Sequence, residues 1–289
     1  MPEVSVIVSS YNGEEYIREQ LDSIFNQTYP LSEVIIADDC STDHSWNIIC
    51  EYRKKYPILK AFRHARNIGM NNNFIFLVEH ATHELIVCSD QDDIWVPNKV
   101  EKQISAIGDS MLCFSFSKPF RMDGIDVPFN AKEPNFRLMR LVYQNAIPGH
   151  TMLIRKKLFY LIPQKYIQVF APDQLLALTA AAYESISFVP EILVHYRHHL
   201  SSVSYTKPAS YEKTFINMFV VLFRTFKNWI ELKEEMKEYF IKEYDLLALM
   251  DSDKDDKKIV QRMLSAYIKG GIKGYFELTI LNLKYRDYI

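Results

Sequence analysis

Four short strand-like runs punctuate the N-terminal third of the chain: Val4-Ser5-Val6-Ile7-Val8, Val34-Ile35-Ile36-Ala37, Leu59 to Phe62, and Leu85-Ile86-Val87-Cys88. The first two are too continuously apolar for strands with one wet face and read as strands buried on both faces, the signature of a parallel sheet. Helical spacing fills the gaps. Tyr16, Ile17, Leu21, Ile24 and Phe25 make one apolar face, with Asn12 as the expected cap. Ser41, Thr42 and Asp43 are cap candidates for a second helix carrying Trp46, Ile49 and Cys50, and Phe74, Leu77, Val78 and Ala81 mark a third. Strand and helix alternating at this pitch require right-handed crossovers and an open, mostly parallel α/β sheet. Ligands of such sheets bind outside the carboxyl ends of the strands, so those ends carry the functional question.

Beyond this repeat the pattern loosens. Met111 to Ser117, Met152 to Ile154 and Ser187 to Val189 read as short strands, and Gln174 to Tyr183 as a helix. From about Tyr211 long helical periodicity takes over, which divides the chain into an α/β unit over 1–204 and a helical region over 205–289. The 34 basic and 36 acidic residues leave a net charge of -2, no global field to attract nucleic acid. Cysteines 40, 50, 88 and 113 form neither a C-x-x-C pair nor a zinc spacing and read as reduced thiols. No charged leader opens the chain, and no apolar run approaches the ~20 residues of a membrane span. These features predict a soluble, cytoplasmic protein, at most peripheral at the inner face of the cell membrane. Two motif look-alikes fail on detail. Asp251-Ser252-Asp253-Lys254-Asp255 starts like a calcium loop but has Asp256 at its sixth position and Arg262 at its twelfth. Gly270-Gly271 follows a helix rather than a strand, so it is no dinucleotide fingerprint.

The strand ends are polar and acidic. Ser9-Ser10-Tyr11-Asn12 follows the first strand, Asp38-Asp39-Cys40-Ser41-Thr42-Asp43 the second, and Ser89-Asp90-Gln91-Asp92-Asp93-Ile94-Trp95 the fourth. Carboxylates gathered on one rim repel unless water or a cation intervenes, and a hard divalent ion accepts oxygen ligands readily. Asp90 and Asp92 are placed to chelate such an ion together with substrate phosphates, whereas Asp43 reads as a helix cap. Asp173, in Ala171-Pro172-Asp173-Gln174, opens a helix and is either its N-cap or a general base. Gly149-His150 precedes a strand. In His195-Tyr196-Arg197-His198-His199, an arginine suited to clamping a phosphate lies beside histidines suited to a metal.

Taken in order, Ser5 to Asn12, Ile35 to Asp43 and the Asp90-Gln91-Asp92 triplet resemble the inverting family 2 glycosyltransferases of the A-type fold, a Rossmann-like nucleotide-binding sheet. The string Ser89 to Trp95 resembles the rhamnosyltransferase-like branch. The resemblance covers about residues 1–200. Cys40 stands where the family often has glycine. What the resemblance implies is transfer of a sugar from a nucleotide diphosphate, dTDP-rhamnose or a UDP-sugar, with Mg²⁺ or Mn²⁺. The acceptor would be a glycan or lipid-linked molecule in cell-surface polysaccharide assembly. It places Ser9, Tyr11 and Asp39 in the base and ribose pocket with Asp38 beside it, and Asn67 near the nucleotide. It makes Asp92 the metal aspartate, sets Asp90 near ribose and metal, and points to Arg197 and His199 through a Tyr-Arg-x-His sequence. Asp173 becomes the catalytic base, and Gly149 and His150 face the acceptor. The C-terminal helices, rich in tyrosine and lysine, would mediate peripheral membrane contact or a homodimer. A sugar nucleotidyltransferase would need a glycine-rich basic loop after the first strand, which Ser9 to Glu15 lacks. A catalytically silent nucleotide- or glycan-binding module would not need Asp90, Asp92 and Asp173 together.

Overall fold

The structure is a computed structural model. It describes residues 1–199 apart from 126, 130, 137–140, 142–144, 164–166 and 168–170. The helical region expected over 205–289, the boundary before it and the two rejected motifs lie outside the described residues.

The alternating units fold as their periodicity demands. β1 (Val4–Ser10), α1 (Ile17–Phe25), β2 (Glu33–Asp38), α2 (Ser45–Lys55), β3 (Leu59–Arg63), α3 (Met70–His80) and β4 (Leu85–Ser89) follow one another. β1 lies between β2 and β4, parallel to both, and β3 runs parallel to β2 at the edge. Val4, Val6, Val8, Val34, Ile36 and Val87 line one core with Ile17, Leu21 and Ile24 of α1 and Ile49 of α2. Because the chain leaves β1 toward β2 on one side and reaches β4 on the other, the strand order reverses at β1. The crevice at its carboxyl end is where an α/β sheet accepts a ligand.

After β4 the sheet becomes mixed. A two-residue strand β5 (Ile94–Trp95) and helix α4 (Lys99–Ile107) precede β6 (Leu112–Phe120). A 3-10 turn (Gly149–Thr151), β7 (Leu153–Arg155), α5 (Lys156–Tyr160), α6 (Pro172–Ala182) and β8 (Ile186–Arg197) follow. The strand order is β3-β2-β1-β4-β7-β6-β8-β5, with β7 antiparallel to both β4 and β6. β8 is far longer than Ser187 to Val189. Pro190 cannot donate to a ladder, so the register jumps from Ser115 opposite Val189 to Phe116 opposite Ile192, a bulge that bends the strand. Beyond the bulge β8 continues, pairs with β5 through Val194 and His195, and delivers Arg197 and His199 above the acidic loop. No helix among the described residues is long and apolar enough to cross a membrane.

Capping departs from expectation. α1 begins at Ile17 without a side-chain cap, and Asn12, at φ 48°, instead accepts the Thr42 N–H at 2.8 Å. Asp43 sits one residue before the α2 N-cap His44, and its two oxygens take the N–H groups of Ser45 and Glu14. The polar residues after β1 and β2 thus stitch two loops together rather than each closing its own helix.

Candidate active site

The residues expected on the nucleotide side lie at and beyond the carboxyl ends of β1 and β2. Asp38 is fully buried, accepts Ser41 through its N–H and hydroxyl, and lies 3.3 Å from Arg63 Nε. Asp39 is buried as well. Its two oxygens accept the N–H groups of Ile68 and Gly69 at 2.7 and 2.9 Å, which tie the β3–α3 loop to the end of β2. Gly69, at φ 84°, occupies a conformation that favours glycine. Ser9 accepts from Asn73 Nδ2 at 2.9 Å, and Asn73 also holds the Ala37 carbonyl. Tyr11 is 45% exposed and Asn67 is exposed, so both offer surface to a ligand. Cys40 adopts φ 63°, in the left-handed region that favours glycine.

The acidic loop after β4 is built from both ends. Gln20 Nε2 donates to Ser89 Oγ, which donates to the Asp90 carbonyl, and the Asp90 side chain stays 57% exposed. Asp92 Oδ2 lies 2.8 Å from His199 Nε2, and the two side chains are mostly covered. Burial raises the Asp92 pKa, the charge of Asp90 raises it further, and His199 pulls it back. Asp93 is fully buried. One of its oxygens accepts the Arg197 N–H at 3.1 Å; the other has no hydrogen-bond partner and lies 3.6 Å from His150 Nδ1. Burial pushes the Asp93 carboxyl well above the usual range, with His150 opposing and Asp90 and Asp92 adding to the rise. Ligand atoms of Asp90, Asp93 and His150 lie within 4.8 Å of one another.

These donors fit a hard divalent ion. Carboxylates packed close enough to raise each other's pKa, with an imidazole nitrogen 2.8 Å from one of them, form a site whose repulsion a cation relieves. The described residues whose ligand atoms gather within 4.8 Å of one another are Asp90, Asp93 and His150; Asp92 and His199 pair with each other and do not join Asp90 in such a group. Asp93 lies beside His150, whose charge it favours. Burial opposes a proton on His150, but the hydrogen bond to Asp90 and the Asp93 charge outweigh it and raise the pKa. Arg197 is 1% exposed and fully engaged. Its Nε donates to the Asp92 carbonyl at 2.8 Å, Nη2 pairs with Glu19, and the guanidinium lies 4.8 Å from the ring centroids of both Tyr16 and Phe120. It holds Asp92 from behind and does not project into open space.

Asp173 stands at the second position of α6, after Pro172, and is not the N-cap, which is Ala171. Its oxygens accept from Asn145 Nδ2 at 2.9 Å and from Gln174 N at 2.8 Å. A helix start favours a carboxylate, yet here burial wins: it pushes the Asp173 pKa up to about 6, and the charge of Asp90 adds to this. Gly149 lies against Asp173, where a side-chain Cβ would come within 3.3 Å of the Asp173 Cβ. The next residue, His150, stacks on Tyr196 and reaches to 3.5 Å from Asp90. Gly149-His150 therefore links Asp173 to the acidic loop.

Similarity to known proteins agrees with this geometry. The model of glycosyl transferase family 2 matches residues 5–160, more than half of the chain, from within β1 through β7. The chain belongs to glycosyl transferase family 2. A Mycobacterium tuberculosis protein is 31% identical over 211 residues, 69% of this chain and 60% of its own, so the chain spans less than two thirds of that relative's length. EpsH of Bacillus subtilis, a putative glycosyltransferase, is 28% identical over 265 residues, 87% of this chain and 75% of EpsH. The crystal structure of S. aureus TarS in complex with UDP superposes with TM-score 0.60 at 25% identity, covering 84% of this chain and 70% of that one. The family 2 fold explains why Ser9, Asp38, Asp39, Asp90, Asp92 and Asp173 converge although four separate segments supply them. Three contributors escape sequence reading. Asp93 is legible as part of an acidic cluster but not as its buried member, and Glu19 carries no signal inside an ordinary amphipathic helix. Gln91 looks like a spacer.

Proposed function

We propose that this family 2 chain is an inverting glycosyltransferase that moves a sugar from a uridine or thymidine diphosphate donor to a hydroxyl of a growing surface glycan or lipid-linked acceptor. The observation that carries the reading is Asp173. A buried carboxylate with a pKa of about 6 is ionised at neutral pH yet more basic than a solvated aspartate, which suits removal of a proton from an acceptor hydroxyl. Gly149 packs against Asp173, and His150, stacked on Tyr196, would face the acceptor. On the other side the exposed Tyr11 and Asn67 would meet the base and ribose, with Ser9, Asp38 and Asp39 bracing the loops beside them. By the family resemblance, Asp90, Asp92 and His199 would hold Mg²⁺ or Mn²⁺, which when bound offsets the negative charge growing on the leaving diphosphate. Asn145 and Gln174 hold the Asp173 oxygens, so the base is oriented before the acceptor arrives.

The relatives support this direction. TuaG of Bacillus subtilis, a putative teichuronic acid biosynthesis glycosyltransferase, is 34% identical over 116 residues, and TarS binds UDP. A cell-surface polysaccharide would suit as acceptor, and the Ser89–Trp95 string adds dTDP-rhamnose to the donors to be tried. The test is release of nucleoside diphosphate from UDP-GlcNAc, UDP-glucose and dTDP-rhamnose by the full chain with Mn²⁺ or Mg²⁺. Release from one donor, abolished by chelator and by Asp92→Asn, is expected. Binding of donors with no release under any condition would refute the enzyme reading.

A further inference from the structure

We propose that Gln91, the middle residue of the Asp90-Gln91-Asp92 triplet, is a positioning residue. It locks the loop after β1, which faces the nucleotide, to the loop after β4, which faces the metal. The proposal deepens the functional reading above and rests on it for what each loop binds.

The geometry is a two-point clamp. The Tyr11 N–H donates to Gln91 Oε1 at 2.8 Å, and Gln91 Nε2 donates to the Tyr11 carbonyl at 2.9 Å. One side-chain amide thus satisfies both main-chain groups of one residue, as a neighbouring strand residue would. Asparagine would be one methylene too short, and glutamate would set a carboxylate oxygen against the Tyr11 carbonyl. Gly13 supplies the independent observation. Its φ lies outside the left-handed region, so its backbone does not require glycine. A Cβ there would instead fall 2.5 Å from Gln91 Cδ and 3.0 Å from Nε2, and the three nearest atoms all belong to Gln91. Gly13 is the seat on which the Gln91 amide lies.

The consequence concerns coupling. Asp90 and Asp92 flank Gln91, while Tyr11 opens the loop stitched to Ser41 and Asp43 through Asn12 and Glu14. A nucleoside diphosphate spans the two loops, base at one and diphosphate at the other. With the clamp closed, the loops are held at the separation the ligand needs, so metal and nucleotide each favour the binding of the other. With it open, each loop still binds, but the mutual gain falls.

The experiment uses the full chain and the variants Gln91→Leu, Gln91→Ala, Gly13→Ala and the double variant Gly13→Ala/Gln91→Ala. Calorimetry gives the Kd of UDP and of dTDP in EDTA and in Mn²⁺, and hydrogen exchange gives the protection of the Tyr11 amide. In Gln91→Leu and Gly13→Ala the tightening caused by Mn²⁺ should shrink by about tenfold, a size typical of removing two hydrogen bonds. The Kd in EDTA should change by less than about threefold, and Tyr11 should exchange faster. Gly13→Ala should add nothing in the Gln91→Ala background, because the new methyl group displaces only Gln91. Unchanged Mn²⁺ tightening in Gln91→Leu, additive losses in the double variant, or unaltered Tyr11 exchange would each overturn the clamp. A wild-type chain that binds neither nucleotide would overturn the functional reading and the coupling with it, and the Tyr11 exchange result would then judge the clamp separately.

Discussion

Replacing Asp173 by asparagine should make the protein more stable and less active at once, and the stabilisation should depend on pH. The carboxyl is raised from the ordinary 3.8 to about 6 because burial penalises its charge. A raised acid pKa means that the folded state keeps its proton to higher pH than the unfolded state does. Below pH 4 both states are protonated and the group costs nothing. As pH rises from about 4 to 6 the unfolded state ionises first, so the wild type loses stability, and above about pH 6 the penalty stays constant. At about 1.4 kcal/mol per pH unit the ceiling is about 3 kcal/mol. Asparagine removes that charge but gives back part of the gain. The side chain accepts from Gln174 and Asn145, an amide has only one oxygen, and Asn145 Oδ1 is already engaged by the Ile147 N–H. One lost hydrogen bond costs about 1 kcal/mol.

The net expectation is a gain of about 1–2 kcal/mol at pH 8, a Tm higher by about 2–8 °C, that shrinks toward zero or reverses at pH 4. Donor turnover with acceptor present should fall by about 10²–10⁴, the usual contribution of a general base. Thermal unfolding of both proteins between pH 4 and 8, set beside turnover at pH 7.5, reads both numbers. A stability difference independent of pH would show that Asp173 is not held ionised against its environment. A variant that loses stability at every pH would make Asp173 a helix-terminal support and remove it from the chemistry.

Other perturbations test the rest of the site. Asp92→Asn should abolish Mn²⁺-dependent nucleotide binding while leaving binding in EDTA within about threefold, as read by calorimetry. Arg197→Lys should lower stability by about 1–2 kcal/mol even without ligand, because a lysine has no Nε–H to donate to the Asp92 carbonyl, and it weakens the pair with the exposed Glu19. A variant of unchanged Tm that loses only donor affinity would make Arg197 a phosphate clamp instead. Cys40→Gly should raise stability by about 0.5–1 kcal/mol with turnover unchanged, since glycine meets φ 63° without the penalty a Cβ incurs.

The legible part of the protein is the part whose determinants are local. Buried parallel strands must be continuously apolar, so β1, β2 and β4 stand out as runs such as Val34-Ile35-Ile36, while the edge strand β3 carries an exposed Lys60, and Pro172 and Asp173 mark the start of α6 within two residues. What a strand end does next depends on neighbours far along the chain. Asn12 reads as a cap because the polar residue before a helix usually is one, yet its carbonyl oxygen goes to Thr42, 30 residues away. Pro190 hides the second half of β8, since proline argues against a strand interior and only the pairing with β5 shows that it marks a bulge.

A family 2 site can be recognised from its aspartates while its supports cannot. The residues that would meet ligand lie in short polar strings directly after strands, where type and position both carry information. The residues that hold them obey no spacing rule. Glu19 pairs with Arg197 across 178 positions, and Gln91 reaches Tyr11 across 80. A support selected for where its polar atom lands can occupy any element whose geometry brings it there. Such residues therefore have to be sought as hydrogen bonds of large sequence separation ending on the main chain of a ligand-facing loop. Arg197 on the Asp92 carbonyl and Gln91 on Tyr11 both satisfy that criterion.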